Sequence, residues 1–313
     1  MLQGKEILVT GGAGFIGSNL VNLLSARNSV TVLDNFSSVD DRYIRHLRDR
    51  IRIVRGDITR PEELPVGHFD IIFHLAANSD VRGGISDPLL DFRVNAMGTV
   101  NVLEAARKCD AAVFCFASSS TVYGEAEKIP TPENYGPYMP ISSYGASKMS
   151  GEGFVSAYSH YYGFKGLIFR FANIVGRNST HGVIYDFIHK LMKNPRELEV
   201  LGDGTQKKSY MHVDDCTGAM EYLAERAART EIFNLGNREV TSVMRIAEMV
   251  IGEMGLKDVR IRLTGGKDGR GWAGDVKYAH LDVEKLFSTG WKNRYSSDES
   301  VRVAIRETLS QMA

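Results

Sequence analysis

The chain has 313 residues, 43% of them hydrophobic, with 38 Lys and Arg balanced by 38 Asp and Glu. That length buries a large core in one globular unit or two coupled domains, and the absent basic surplus argues against nucleic acid or anionic membrane as partners. No apolar run nears the roughly 18 residues of a membrane span, and the N-terminal MLQGKEILVTGG lacks a signal-peptide core. The scattered Cys109, Cys115 and Cys216 suit a reducing cytoplasm better than a disulfide framework. A cytoplasmic, enzyme-sized protein with a small-molecule partner is expected.

Short apolar runs rich in β-branched residues recur at 5–10, 29–35, 51–57, 69–77, 111–119 and 165–173. Amphipathic helical patterns separate most of them: one from Gly14, one over 87–108 and one over 144–162. Near-continuous apolar strands alternating with helices predict a doubly wound, Rossmann-type α/β fold with a parallel sheet covered on both faces. Beyond residue 173 the rhythm loosens into helical patterns at 183–193, 213–228 and 241–255, with a short strand at 231–236 and glycine-rich loops at 202–204 and 265–274. The division expected is a dinucleotide-binding domain over 1–173 and a smaller mixed α/β substrate-binding lid over 174–313. The strand near 231–236 is a candidate for return to the main sheet.

The first strand runs into TGGAGFIG, where Gly11, Gly14 and Gly17 precede a helix. Glycines there allow a tight turn and close approach of backbone to a pyrophosphate, and the helix N-terminus supplies N–H donors. The spacing is GxxGxxG rather than GxGxxG. Asp34, at the end of the second strand, stands where an acid binds the adenine-side ribose. A carboxylate there repels a 2′-phosphate, which favours NAD over NADP. Asp57, ending the third strand, is either an adenine contact or a turn residue.

In SSYGASK, Tyr144 and Lys148 stand at i and i+4, on one helix face. An ammonium beside a tyrosine is expected to stabilise the phenolate and lower its pKa from about 10, making a base near neutral pH. Ser118, Ser119 and Ser120 end the fifth strand, at the carboxyl edge where such sheets bind ligands.

These motifs together resemble the extended short-chain dehydrogenase/reductase family, and within it the NAD-dependent nucleotide-sugar epimerases of the UDP-glucose (UDP-galactose) 4-epimerase type. The carriers are TGGAGFIG, VLDN, GDI, HLAA, VNAMGTVNVLEAAR, SSSTVYG, YGASK, RFANIVG, HVDD and GDV, spread over nearly the whole chain. The resemblance implies Tyr144 as catalytic base and acid, Lys148 as its tuning partner on the nicotinamide ribose, and Ser119 as the catalytic hydroxyl. For the cofactor it implies Gly11, Gly14, Phe15, Ile16, Gly17, Asp34, Asn35, Asp57, Ile58, Leu75, Ala76, Ala77, Asn95, Ala117 and Phe171 alongside Tyr144 and Lys148. For a UDP-sugar it implies Ser79, Ser119, Ser120, Tyr144, Asn173, Val183, Lys208, Arg270, Asp275 and Ala279. It also implies a homodimer built on the helices at 87–108 and 144–162.

Dehydrating relatives carry an Asp-Glu pair, and decarboxylating relatives a glutamate, where this chain has Ser120 and Thr121. A hydroxyl of ordinary pKa does not replace a carboxyl as general acid, so reversible hydride transfer at C4 is favoured over elimination. Relatives usually carry Arg-Asp where Lys208 and Ser209 stand, and an arginine where Trp272 stands, so Arg270 is the candidate replacement. Ala279, small at the sugar-size gate, implies room for an N-acetyl group. Glucose and galactose, their N-acetyl forms and the uronic acids all remain open. GDGTQKKS does not fit a phosphate-binding GxxxxGK[ST] loop. His181, His212, Asp214 and Asp215 could be grouped as metal ligands, but HVDD reads as a strand end with an Asp cap on the next helix, and no metal is expected. A non-catalytic dinucleotide sensor would usually lose the Tyr-Lys pair; a simple NADP-linked reductase conflicts with Asp34.

Overall fold

The computed structural model describes residues 1–81, 83–266, 269, 271 and 276–312. The chain forms two compact units. One holds Met1–Glu125, Glu133–Phe171 and Thr217–Phe233; the other holds Ala126–Pro132, Ala172–Cys216 and Asn234–Ala313.

In the first unit β1 (Glu6–Thr10), β2 (Ser29–Asp34), β3 (Ile51–Arg55), β4 (Ile71–His74), β5 (Val113–Ser119) and β6 (Lys165–Phe171) alternate with α1 (Phe15–Leu24), α2 (Pro88–Asp91), α3 (Gly98–Lys108) and α4 (Ser143–Tyr162). The strands pair in parallel in the order β6-β5-β4-β1-β2-β3. This is the doubly wound fold expected from the alternation, with its topological switch between β1 and β4. Its core joins Leu8, Leu33, Ile72, Phe114, Phe116 and Ile168 from the sheet to Leu103 of α3 and Val155 of α4. Gly151 lets α4 lie close on β5, because a Cβ there would stand 2.5 Å from the Phe116 ring.

The pattern over 87–108 is one helical stretch with a π turn, Phe92–Met97, between α2 and α3. Asp87 caps it by accepting from Leu90 N, and Pro88 takes the first helical place, where its missing N–H costs nothing. The wider turn frees carbonyls, and Thr99 Oγ1 takes that of Asn95 at 2.5 Å. The apolar run 165–173 divides at Ala172. After β6 the chain changes partners, and β7 (Asn173–Val175) pairs with a strand of the second unit.

That unit also holds α5 (Val183–Lys193), β8 (Glu197–Val200), β9 (Lys207–Lys208) and β10 (Tyr210–His212); α6 (Val213–Glu225) follows directly. β11 (Glu231–Leu235) lies beside β6 at the edge of the main sheet. Then come β12 (Thr241–Ser242), α7 (Val243–Glu253), β13 (Arg260–Leu263), β14 (Tyr278–Ala279), α8 (Glu284–Ser288) and α9 (Ser297–Met312). β7 pairs with β10, β8 with β13, and β9 with both β12 and β14. The second core is built from Ile184, Phe187 and Ile188 of α5, Ile246 and Val250 of α7, and Val301 and Ile305 of α9.

Arg170 of β6 is fully enclosed within the first unit. Its guanidinium donates to both carboxylate oxygens of Glu152 on α4, at 2.9 and 2.6 Å. Tyr123 Oη at 2.8 Å, Glu133 O at 3.0 Å and Tyr138 Oη at 3.1 Å take its other bonds. Breaking such a pair leaves an uncompensated buried charge. Glu152→Ala should therefore lower the unfolding free energy by about 3–5 kcal/mol, measured as a fall in the urea midpoint at unchanged m-value.

Candidate active site

The turn after β1 is set by Gly11 at φ +70°, in the left-handed region that favours glycine. A Cβ at Gly11 would stand 2.6 Å from Ala76 N, so the loops after β1 and β4 touch where the sheet switches direction. A Cβ at Gly17 would run into the Gly11 carbonyl. Gly14 precedes α1 in extended conformation, no side chain caps this end, and no acid stands in the first turn of Phe15, Ile16 and Gly17. An uncapped helix start of this kind suits a diphosphate.

At the end of β2, Asp34 accepts from Ala13 N at 2.9 Å and Phe36 N at 2.8 Å. Burial raises its carboxyl above the ordinary value despite these two bonds. Asn35 donates to Asp57 at 3.0 Å, and both border an open hollow of about 580 Å³ with Arg55, Gly56 and Arg60. Ile58 is buried under Gly98. The polar groups fit a dinucleotide along this edge: backbone N–H donors at the turn, then carboxylate acceptors and amides at the strand ends.

Leu75, Ala76 and Ala77 follow β4, half-buried, and Ser79 is exposed beyond them. Asn95 is buried behind this loop. Its amide donates to Asn78 O and Ser147 Oγ, both at 3.1 Å, and its oxygen accepts from Asn78 N at 2.8 Å. It therefore acts on the loop through Asn78. His74 is enclosed between Thr10 Oγ1 at 2.7 Å and Thr99 Oγ1 at 2.9 Å. Thr99 spends its proton on Asn95 O, so His74 Nε2 is assigned as donor and Nδ1 as acceptor. Burial, with the Lys148 charge nearby, holds the imidazole neutral, down to about 3.

The three serines of β5 part company. Ser118 is buried and donates to Glu152 Oε1 at 2.5 Å, joining the Arg170 network. Ser119, on the opposite side of the strand, is half-buried and stands close enough to the Tyr144 phenol for its hydroxyl to favour the phenolate. Its Oγ accepts from Thr121 N at 3.2 Å and Thr121 Oγ1 at 3.0 Å, so its own proton is left to point at Tyr144. Ser120 opens the short 3₁₀ turn that follows. Phe171 of β6 is the register partner of Ser119.

Ser142 caps α4 by accepting from Gly145 N at 3.0 Å, which places Tyr144 in the first turn. The Lys148 ammonium lies 5.8 Å from the Tyr144 ring centre and 5.2 Å from that of Phe116, and donates to Ala117 O at 2.8 Å. The expected lowering of the tyrosine by the lysine is not what this arrangement produces. Burial pushes the Tyr144 phenol up to about 12, against the Ser119 hydroxyl that lowers it. Burial likewise pulls Lys148 down to about 8. Desolvation disfavours both charged forms, and the ammonium is engaged on a carbonyl.

In the second unit Asn173 N donates to Ser209 O at 3.1 Å, Val183 is the first residue of α5, and Lys208 and Ala279 are register partners. Arg270, Trp272 and Asp275 lie outside the described residues. The expected Asp cap of α6 is corrected: His212 Nδ1 accepts from Asp214 N at 3.2 Å. Asp214 pairs with Arg177 at 2.5 Å, and Asp215 accepts from Arg294 N and Tyr295 N. Those carboxylates serve tertiary contacts, and the imidazole does the capping.

Sequence reasoning passed over Glu152, Asp91 and Ser147. Glu152 stands four residues after Lys148, one turn on along α4, and a lone arginine in the apolar run GLIFRF signals a buried partner; together they could have revealed the pair.

The NAD dependent epimerase/dehydratase family model matches residues 7–236. The UDP-glucose 4-epimerase of Mycolicibacterium smegmatis is 34% identical over 262 residues, 80% of this chain and 83% of that protein. A crystal structure of a UDP-galactose 4-epimerase superposes with a TM-score of 0.87 at 38% identity, covering 98% of this chain and all of that one. The UDP-N-acetylglucosamine 4-epimerase of Methanobrevibacter ruminantium, solved with UDP-N-acetylmuramic acid, gives 0.88 at 26% identity, covering 99% and 100%.

Lys148 sets a sign for stability. Its folded pKa of about 8 lies below the ordinary 10.5, so its contribution is full above pH 10.5 and is lost as pH falls through 8. In nucleotide-free protein, the unfolding free energy of wild type should rise from pH 8 to 10.5 by about 3 kcal/mol more than that of Lys148→Met. Urea titrations of both proteins at the two pH values check this.

Proposed function

The chain belongs to the NAD dependent epimerase/dehydratase family, and from that premise we propose that it interconverts a UDP-hexose and its C4 epimer through a transient 4-keto sugar. UDP-glucose and UDP-galactose are the first pair. The observation that carries this reading is the hydroxyl-only end of β5, with Ser119 beside the Tyr144 phenol and no carboxylate at Ser120 or Thr121. Elimination needs a general acid there; epimerisation needs only a proton taken from O4 and returned to it.

A bound NAD would supply a reversible hydride acceptor for C4 of the sugar. Gly11, Gly14, Phe15, Ile16 and Gly17 would hold its diphosphate, and Asp34 and Asn35 its adenine-side ribose. Asp57 and Ile58 would flank the adenine, with Leu75, Ala76, Ala77, Ala117 and Phe171 toward the nicotinamide. Tyr144 takes the O4 proton, Ser119 bridges O4 to it, and Lys148 supplies the positive charge that favours the phenolate. Ser79, Ser120, Asn173, Val183, Lys208, Arg270, Asp275 and Ala279 are assigned to the UDP-sugar. Residues 1–173 then form the NAD-binding domain, which also carries Ser79, Ser119, Ser120, Tyr144 and Asn173 of the substrate set, and 174–313 form the substrate-binding lid. The exposed Leu89, Phe92, Phe154 and Tyr161 along α2, the π turn and α4 support a homodimer, and three buried free cysteines are consistent with the cytoplasm.

Denatured protein should release NAD, and native protein should exchange UDP-glucose and UDP-galactose with no cofactor added. A requirement for stoichiometric added cofactor would refute the reading. Tyr144→Phe should keep NAD and lose turnover by about 10²–10⁴-fold, read by separating the epimers.

Ala279 leaves room for an N-acetyl group, so UDP-GlcNAc should be epimerised too. Brisk reaction of UDP-glucose with none of UDP-GlcNAc would sink that extension.

A further inference from the structure

Asp91 is a buried titratable group that no step above uses. Its side chain is fully enclosed, where an ionised carboxylate persists only if hydrogen-bonded or paired. Oδ1 accepts from Asn78 Nδ2 at 2.8 Å and from Asn95 Nδ2 at 3.4 Å, and Oδ2 accepts from Ser143 Oγ at 2.6 Å. Those donors come from the loop after β4, the π turn and the first residue of α4. Among the described residues Asp91 has no ion-pair partner within 4 Å. The titratable groups that face it are Tyr144 and Lys148 of α4, both within Coulombic reach. His74, beyond Lys148, is neutral. Asp87 and Arg93, beside Asp91 in sequence, pair with each other at exposed positions, and Asp80 accepts from Gly83 N.

We propose that Asp91 is a positioning residue for proton transfer at Tyr144, pinning the adjacent Ser143 and serving as the counter-charge of the Lys148 ammonium. The inference rests on the catalytic reading of Tyr144 and Lys148. Without a counter-charge, the buried lysine would shed its proton nearer neutrality and leave the phenolate unsupported. The same negative charge opposes ionisation of Tyr144, so Asp91 moves both titrations in one direction, upward.

Asp91→Asn separates this role from a structural one. An asparagine oxygen can accept from Asn78 and Asn95 as Oδ1 does. Its NH₂ can meet Ser143 Oγ once that hydroxyl, already 3.3 Å from Gly84 O, donates there. The hydrogen bonds survive and the charge goes. Two readouts are taken on the holoenzyme: the pH profile of UDP-galactose turnover, and tyrosinate absorbance against pH with Tyr144→Phe as blank. In D91N both limbs of the profile should move to lower pH by about one unit, and the Tyr144 signal should move with them. A folded variant whose profile and tyrosinate signal match wild type overturns the proposal. If UDP-galactose is inert with wild type, the epimerase reading fails and the tyrosinate titration alone decides Asp91. Asp91→Ser, also neutral, is read in the same way; should neither variant fold, Asp91 is structural and the proposal falls.

Discussion

The first unit is organised around one buried charge. A guanidinium carries five N–H donors and sheds no proton in a protein, so an enclosed arginine must find acceptors for all of them. Arg170 finds them on Glu152, Tyr123, Glu133 and Tyr138, which ties β6 to α4, to the 3₁₀ turn after β5 and to the segment near 135. Glu152 has acceptor capacity left beyond the two Arg170 bonds and takes a third from Ser118. Side chains alternate along a strand, so anchoring Ser118 inward turns Ser119 to the other face. The choice between adjacent serines is thus made by a salt bridge that takes no part in the chemistry. The same carboxylate sits one turn beyond Lys148 on α4, so the network that selects Ser119 also sets how α4 presents Tyr144.

The reactive pair lies where water is scarce, and that reverses a simple expectation. Spacing alone suggests a lysine that lowers a tyrosine. Burial acts on both groups in the opposite sense, raising the phenol and lowering the ammonium. Opposite shifts bring the two titrations apart in the neutral-neutral direction, so a phenolate forms only when further positive charge or hydrogen-bond donors face it. Ser119 supplies one donor already, its polarity enforced by Thr121.

Much of this was legible in the sequence. The alternation of β-branched runs with amphipathic stretches foretold the parallel sheet, because a strand buried on both faces has no polar side to display. TGGAGFIG fell where a strand end meets a helix start, and Asp34 fell at the end of the next strand. The helix at 183–193 matched α5 in full because its apolar spacing is regular and Gly182 breaks the backbone before it. Boundaries failed where tertiary partners decided them. The run 165–173 is uniformly apolar, yet it divides because Asn173–Val175 pairs with β10 instead of continuing in the main sheet. HVDD carried good capping residues, but Asp214 was claimed by Arg177 and the cap fell to His212. Asp91 was invisible for a related reason: PLLDFRVN looks like a helix with one ordinary surface acid, and only the fold encloses it.

The missing carboxylates at 120 and 121 and the buried carboxylate at 91 belong to one electrostatic arrangement. Among the described groups near Tyr144, Lys148 is the cation and Asp91 the anion, and His74 is neutral. A further acid at the end of β5 would add negative charge close to the phenol, raising a pKa that burial has already raised. Hydroxyls avoid that cost while still offering a proton path. Ser119 can donate toward the phenol without changing the net charge of the site, and a sugar hydroxyl that displaces one of its two Thr121 donors completes a neutral path for the proton. A chemistry that removes a proton from O4 and later restores it needs such neutrality in both directions, whereas an elimination requires a committed acid. The composition of one 3₁₀ turn therefore separates the two reaction types through charge balance as much as through the identity of any single catalytic group.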